Sequence, residues 1–258
     1  HVPVDLLISP NIDIAEQILK ILQYPGCAGI LPVFDEKYYI LTLNINDDCP
    51  LSDTPLVQLS RQEGLNMGFI NIIRNNTSFL PDMYDVLKTN DQVNIIVEAD
   101  KVYNAISAFG LEKPANERLV TFGGNEISEY MGIKIENDDT IISSRLVEEN
   151  LDKARQLARN LNQTVVIQGE MMSDVILKEA DLTHADAVIA LTDNDKDNLL
   201  ASLLASKSGV GTTISVINTP SSSNLMFNSA DNILVNRSAI TISSMLKEIR
   251  KAKLRQAY

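Results

Sequence analysis

The sequence predicts an α/β chain in two parts: a doubly wound parallel sheet over its second half, preceded by a smaller mixed α+β unit. Three observations predict it. From Leu119 onward, short apolar runs alternate with helical stretches, the pattern of strand, crossover helix and parallel strand. A Gly123-Gly124 turn joins the first of those strands to the first of those helices. Between the two parts, Gly110 to Glu117 (GLEKPANE) interrupts two periodic regions with a glycine, a proline and three charges, the composition of a linker.

Taken in order, Val4 to Ile8 reads as a short buried strand stopped by Pro10. Ile14, Ile18, Ile21 and Leu22 recur at helical spacing, and Pro25-Gly26 closes that helix. Ile30 to Phe34 and Tyr38 to Asn46 read as a hairpin across Asp35-Glu36-Lys37. A short helix surrounds Leu56 and Leu59, Met67 to Arg74 is strand-like, and Asn75 to Ser78 reads as a turn. Gln92 to Val97 is a strand and Ala99 to Phe109 a helix.

Beyond the linker the predicted strands are Leu119 to Phe122, Ile141 to Val147, Thr164 to Ile167, Ala187 to Leu191, Thr212 to Ile217 and Asn232 to Val235. Helices are expected from Asn125, over Leu151 to Leu161, Asp174 to Ala180 and Asp195 to Ser206, as a turn after Pro220, and at the end of the chain. On that last helix Ile242, Met245, Leu246 and Ile249 form one stripe beside Lys247, Arg250, Lys251, Lys253 and Arg255. The stripe reads either as core-facing or as a contact with another subunit.

The 258 residues suffice for two domains, and 45% hydrophobic with 22% charged residues is the balance of a globular chain. A net charge of −12 repels phosphate backbones, so nucleic acid is not an expected partner. Cys27 and Cys49 stand apart from each other and from histidines, which gives neither a disulfide framework nor a zinc site. Asp193, Asp195 and Asp197 begin like a calcium loop, but Asn198 stands where that loop needs glycine. His184 reads as a surface histidine. No GxSxG, HExxH or P-loop occurs, so the chain is not expected to be an enzyme.

Ligands of doubly wound sheets bind outside the carboxyl ends of the strands, which directs attention to a few residues. Gly123, Asn125 and Ser128 fall where a Rossmann fingerprint has its three glycines, so the pattern is present in topology and altered in side chains. Gly124 completes the turn, and Glu126 and Ile127 open the helix, Glu126 adding a negative charge at its start. Glu148, ending the second strand, lies slightly beyond the roughly 20-residue spacing of a ribose-binding acid; it reads equally as a helix-start charge. Gly169-Glu170 ends the third strand, where a carboxylate either meets an adenine edge or is solvated. Thr192-Asp193 ends the fourth, with Asn198 one turn further, and these read as cleft-lining.

These residues resemble the RCK (regulator of potassium conductance) family of Trk-type potassium-uptake regulators. The segments that carry the likeness are the glycine turn, Glu148, VIQGEMMSD, Ala190 to Asp193 and DNLLASLLA, and, earlier, CPLSDTPLVQL, FINIIRN and QVNIIVE. The resemblance implies a Rossmann-like nucleotide-binding domain over 118–258, a regulatory domain over 26–109, and a linker over 110–117. It implies that NAD(H) or ATP/ADP binds against Gly123, Gly124, Asn125, Glu126, Ile127, Glu148, Gly169, Glu170, Thr192 and Asp193. It also implies a cytoplasmic, homo-oligomeric subunit, peripheral on the inner face of the membrane, that gates a potassium-translocating partner of the TrkH type. Two alternatives stand beside it: an NAD-dependent oxidoreductase, which would need a proton-transferring group near a nicotinamide, and a structural repeat without a ligand of its own.

An internal repeat adds one expectation. Leu6, Leu7 and Ile8 align with Ile233, Leu234 and Val235, while Ile18, Leu19, Lys20 and Leu22 align with Met245, Leu246, Lys247 and Ile249. Residues 1–25 are thereby expected to be the last strand and helix of a preceding nucleotide-binding domain, and the chain an internal piece of a tandem protein.

Overall fold

The computed structural model describes residues 9–59, 66–219 and 232–245. They divide into two compact units, Lys20–Ala115 and a larger one made by the described residues of 1–19 and 116–258. Helix α1 (Pro10–Gln23) gives its residues up to Leu19 to the larger unit and the rest to the smaller. The strand expected over 4–8 and the helical turn expected after Pro220 lie outside the described residues, as does the terminal helix beyond 245.

The smaller unit holds β1 (Gly29–Val33), β2 (Tyr38–Asn44), α2 (Leu56–Leu59), β3 (Gly68–Arg74), β4 (Thr77–Phe79), β5 (Gln92–Glu98) and α3 (Val102–Ala108). Its antiparallel sheet has the order β1-β2-β5-β3-β4. Alternation sets its core: Tyr39, Leu41 and Leu43 of β2 and Val93, Ile95 and Val97 of β5 are buried while their neighbours point outward. Cys27 and Cys49 are buried in this unit as free thiols, and burial pushes the Cys27 thiol up to about 12. The turn expected over Asn75 to Ser78 is narrower. Asn75 and Asn76 take positive φ (49° and 60°), which asparagine tolerates and a two-residue hairpin turn requires. Thr77–Phe79 then pairs back on β3.

The larger unit contains β6 (Arg118–Phe122), α4 (Glu126–Ile135), β7 (Ser143–Glu148), α5 (Leu151–Asn160), β8 (Val165–Gln168), α6 (Asp174–Glu179), β9 (Ala187–Ala190), α7 (Asp195–Lys207), β10 (Thr212–Ile217) and β11 (Asn232–Asn236). Residues 237–245 are helical. All six strands are parallel, in the order β11-β10-β9-β6-β7-β8. The order reverses beside β6, which is the switch point at which such sheets open a crevice. Strands covered on both faces need unbroken apolar or satisfied surfaces. Accordingly all four residues of β9 are wholly buried, and the hydroxyls of buried β10 are spent on neighbours: Ser215 Oγ lies 2.5 Å from Ser202 Oγ and 3.1 Å from the Asn198 carbonyl.

Candidate functional site

The turn after β6 is built from close backbone approaches. Gly123 has φ +105°, and a Cβ there would stand 2.8 Å from the Thr192 nitrogen, so no side chain fits. Its N–H donates to the Val147 carbonyl at 2.9 Å. A Cβ on Gly124 would meet Leu157 Cδ1 at 2.6 Å and Glu148 Oε2 at 2.8 Å. The two glycines thus let the ends of β6, β7 and β9 converge.

Glu148 turns onto this turn. Its Oε2 accepts the Gly124 N–H at 2.6 Å and its Oε1 the Asn150 N–H at 2.7 Å. Asn150 in turn caps α5, accepting from Asp152 and Lys153 at 3.0 Å. The carboxylate is therefore held at both oxygens by backbone, and one lone pair on each is left to receive a hydroxyl.

Asn125 caps α4 in extended backbone (φ −135°), its Oδ1 accepting from Ile127 at 3.0 Å and Ser128 at 3.2 Å. Ser128 Oγ accepts the Asn125 N–H at 2.8 Å, closing a capping box. Asn125 Nδ2 also reaches the Leu191 carbonyl, 2.7 Å away at the end of β9. Ile127 is buried in the core, and its N–H is taken by Asn125. Glu126 is exposed and accepts Asn11 Nδ2 at 2.7 Å.

The other expected residues fall on the same edge. The Gly169 N–H donates to the Glu148 carbonyl at 3.1 Å, and a Cβ there would press on Ile176 Cδ1 at 2.3 Å. Glu170 and Asp193 are exposed, Thr192 half-buried. Asn198, expected to line the cleft, does not. It is wholly buried, with Nδ2 donating to the Thr192 and Val216 carbonyls. A helical first-turn position faces the sheet as readily as the cleft, and sequence spacing alone does not separate the two.

Sequence reading passed over Asn150 and Asn194 as helix caps, although an asparagine before a helical run is their ordinary signal. It also passed over Asn11. This residue bridges Glu126 and Arg237, accepting Arg237 Nη2 at 2.6 Å; no local pattern joins positions so far apart. Among the described residues no group of three or more His, Cys, Asp and Glu is placed to hold a metal.

A parallel sheet with a glycine turn at its switch point and an acid on the neighbouring strand defines a Rossmann-type nucleotide-binding unit. Comparison with known proteins names the type more closely. The chain matches the TrkA-N domain family over residues 120–236. It is 29% identical over 256 residues to the Trk system potassium uptake protein TrkA of Azorhizobium caulinodans, covering 99% of this chain and 56% of that protein. It is 26% identical to the TrkA of Halomonas elongata, covering 98% of this chain and 55% of that protein. The chain spans about half the length of the curated relatives it matches.

Among solved structures, the GsuK RCK domain superposes with a TM-score of 0.61 at 14% identity, over 94% of this chain and 51% of that one. The GsuK channel bound to NAD gives 0.61 at 13%, over 96% and 44%. The fold is that of an RCK domain. Among the described residues no helix is long and apolar enough to cross a membrane.

Proposed function

We propose that this chain is part of a regulatory subunit of a potassium uptake system. In this reading it binds an adenine nucleotide or NAD(H) at the carboxyl edge of the parallel sheet and thereby gates a membrane potassium-translocating partner. It is a non-catalytic, homo-oligomeric protein that works in the cytoplasm, against the inner face of the membrane. Residues 118–258 are its nucleotide-binding domain, 26–109 its regulatory domain, and 110–117 the linker, while 1–25 are the end of a preceding nucleotide-binding domain. The names of the curated relatives support the transport system, and the NAD-bound channel supports the ligand class.

The observation that carries the nucleotide reading is Glu148. Its carboxylate is set on the glycine turn by two backbone N–H groups, where free lone pairs meet the hydroxyls of a ribose. Gly123, Gly124, Asn125, Glu126 and Ile127 frame the ligand on one side, Gly169 and Glu170 beneath the base, Thr192 and Asp193 on the other side.

Calorimetric titration of the chain with NAD, NADH, ATP and ADP tests this. At least one should bind, and Glu148→Ala should lower its affinity by about tenfold or more, the loss of a hydrogen bond to a charged group. An unchanged affinity removes the ribose contact. No binding by any of the four favours a second reading, a structural repeat without a ligand, which the internally capped α4 also suits.

A further inference from the structure

We infer that this site recognises the nucleoside part of its ligand and draws no binding energy from the phosphates, with Asn125, Ser128 and Glu148 as the residues that exclude them. The inference rests on the nucleotide reading above. A glycine turn ahead of a helix binds phosphate by pointing unpaired backbone N–H groups at it, helped by the positive end of the helix. Here all of those groups from Gly123 to Ser128 except the Glu126 N–H are already used. The Gly123 N–H goes to the Val147 carbonyl, Gly124 to Glu148 Oε2, Asn125 to Ser128 Oγ, and Ile127 and Ser128 both to Asn125 Oδ1.

The side chain that takes the Gly124 N–H is itself an anion. At 2.6 Å the Glu148 carboxylate stands on a donor that a phosphate oxygen would need, and it repels a second negative group there. Glu126, exposed in the first turn of α4, adds a second negative charge at the helix end and satisfies its positive pole. Phosphate entry would break the capping box and displace a protein carboxylate, whereas ribose entry breaks nothing. The polar chemistry of the turn therefore suits a neutral, hydroxyl-bearing nucleoside edge, and the phosphate chain of a bound nucleotide lies in solvent.

The test titrates the chain calorimetrically with adenosine, AMP and ADP at low and high salt. Adenosine and ADP should bind within about fivefold of each other, and the affinity for ADP should hardly change with salt. ADP binding more than about fivefold tighter, and weakening with salt, overturns the inference while leaving the nucleotide reading in place. Absence of binding by all three overturns that reading and this inference with it.

Asn125→Gly keeps a tolerated helix cap and releases the Ile127 and Ser128 N–H groups. ADP should then gain about tenfold over adenosine. An unchanged ratio in a variant with native circular dichroism overturns the role of Asn125. Ser128→Ala, which releases the Asn125 N–H, is read in the same way and decides the matter should Asn125→Gly fail to fold.

Discussion

Asn198 and Thr192 exchange three hydrogen bonds. Asn198 Oδ1 accepts the Thr192 N–H at 2.8 Å and its hydroxyl at 2.7 Å, and Asn198 Nδ2 returns one to the Thr192 carbonyl at 2.9 Å. A fourth, to the Val216 carbonyl at 2.8 Å, ties the same side chain to β10. One wholly buried amide thus fixes the exits of β9 and β10. Asn198→Ala leaves buried groups of Thr192 and Val216 unpaired, and should cost about 3 kcal/mol in urea denaturation. A loss below about 1 kcal/mol would show that the network does not hold this edge.

In the smaller unit, Arg74 binds Asp91 through Nε and Nη2, both at 2.7 Å, and Nη2 also reaches the Val86 carbonyl. Asp91 is 1% exposed and takes the Lys88 N–H as well. Hydrogen bonding to Asp91 outweighs desolvation and raises the guanidinium above its ordinary value. Asp91→Ala removes the anion while leaving Arg74 half-buried. It should destabilise the unit by about 3 kcal/mol; denaturation curves overlapping those of the wild type would refute this.

Glu136 gives a pH dependence. Burial works against its ionisation, but the N–H groups of Thr164, Gln163 and Asn162, at 2.8 to 2.9 Å from Oε1, outweigh it and hold the carboxyl below its ordinary value of 4.5. A carboxylate depressed on folding stabilises the protein above its unfolded value, and that stability is lost as pH falls through the folded value. The melting temperature should therefore drop on acidification below about pH 4.5, and Glu136→Gln should flatten that part of the profile. Equal acid slopes for variant and wild type would count against it.

On helix 237–245, Ile242 and Met245 are 58% and 44% exposed, two apolar side chains one turn apart and facing solvent. Of the two readings of this helix, a contact with another subunit predicts that Met245→Asp lowers the mass measured by light scattering. An unchanged mass with an intact fold removes the helix from the interface.

The alternation of the larger unit was legible because parallel strands covered on both faces must be apolar runs. Ala187 to Ala190 is such a run, and Gly123 marks where backbones crowd. Glu148 was legible as an acid at a strand end. What spacing could not show was which way it turns: its place on the Gly124 N–H depends on two strands meeting, not on either alone. The strand at Gln92 to Val97 was legible, but the same limit hid its place: β5 pairs with β2 and β3 at the centre of its sheet although an intervening stretch separates it from β2 in sequence. Asn198 was misplaced because an asparagine near a strand end serves a cleft or a core equally well by type. Asn75-Asn76 was readable as a turn but not as a two-residue one, since that depends on Thr77 finding β3.

Both thiols of the chain, Cys27 and Cys49, lie between residues 20 and 115, and the Nucleotide-fold half has none. Cys27 is sealed in the interior with its ionisation suppressed, so a thiol reagent reaches it only when the structure around it opens. The native sequence therefore carries its own reporter: labelling kinetics measure the opening of the antiparallel unit by itself, and a nucleotide that slows labelling would reveal, without any added probe, that its binding is felt there.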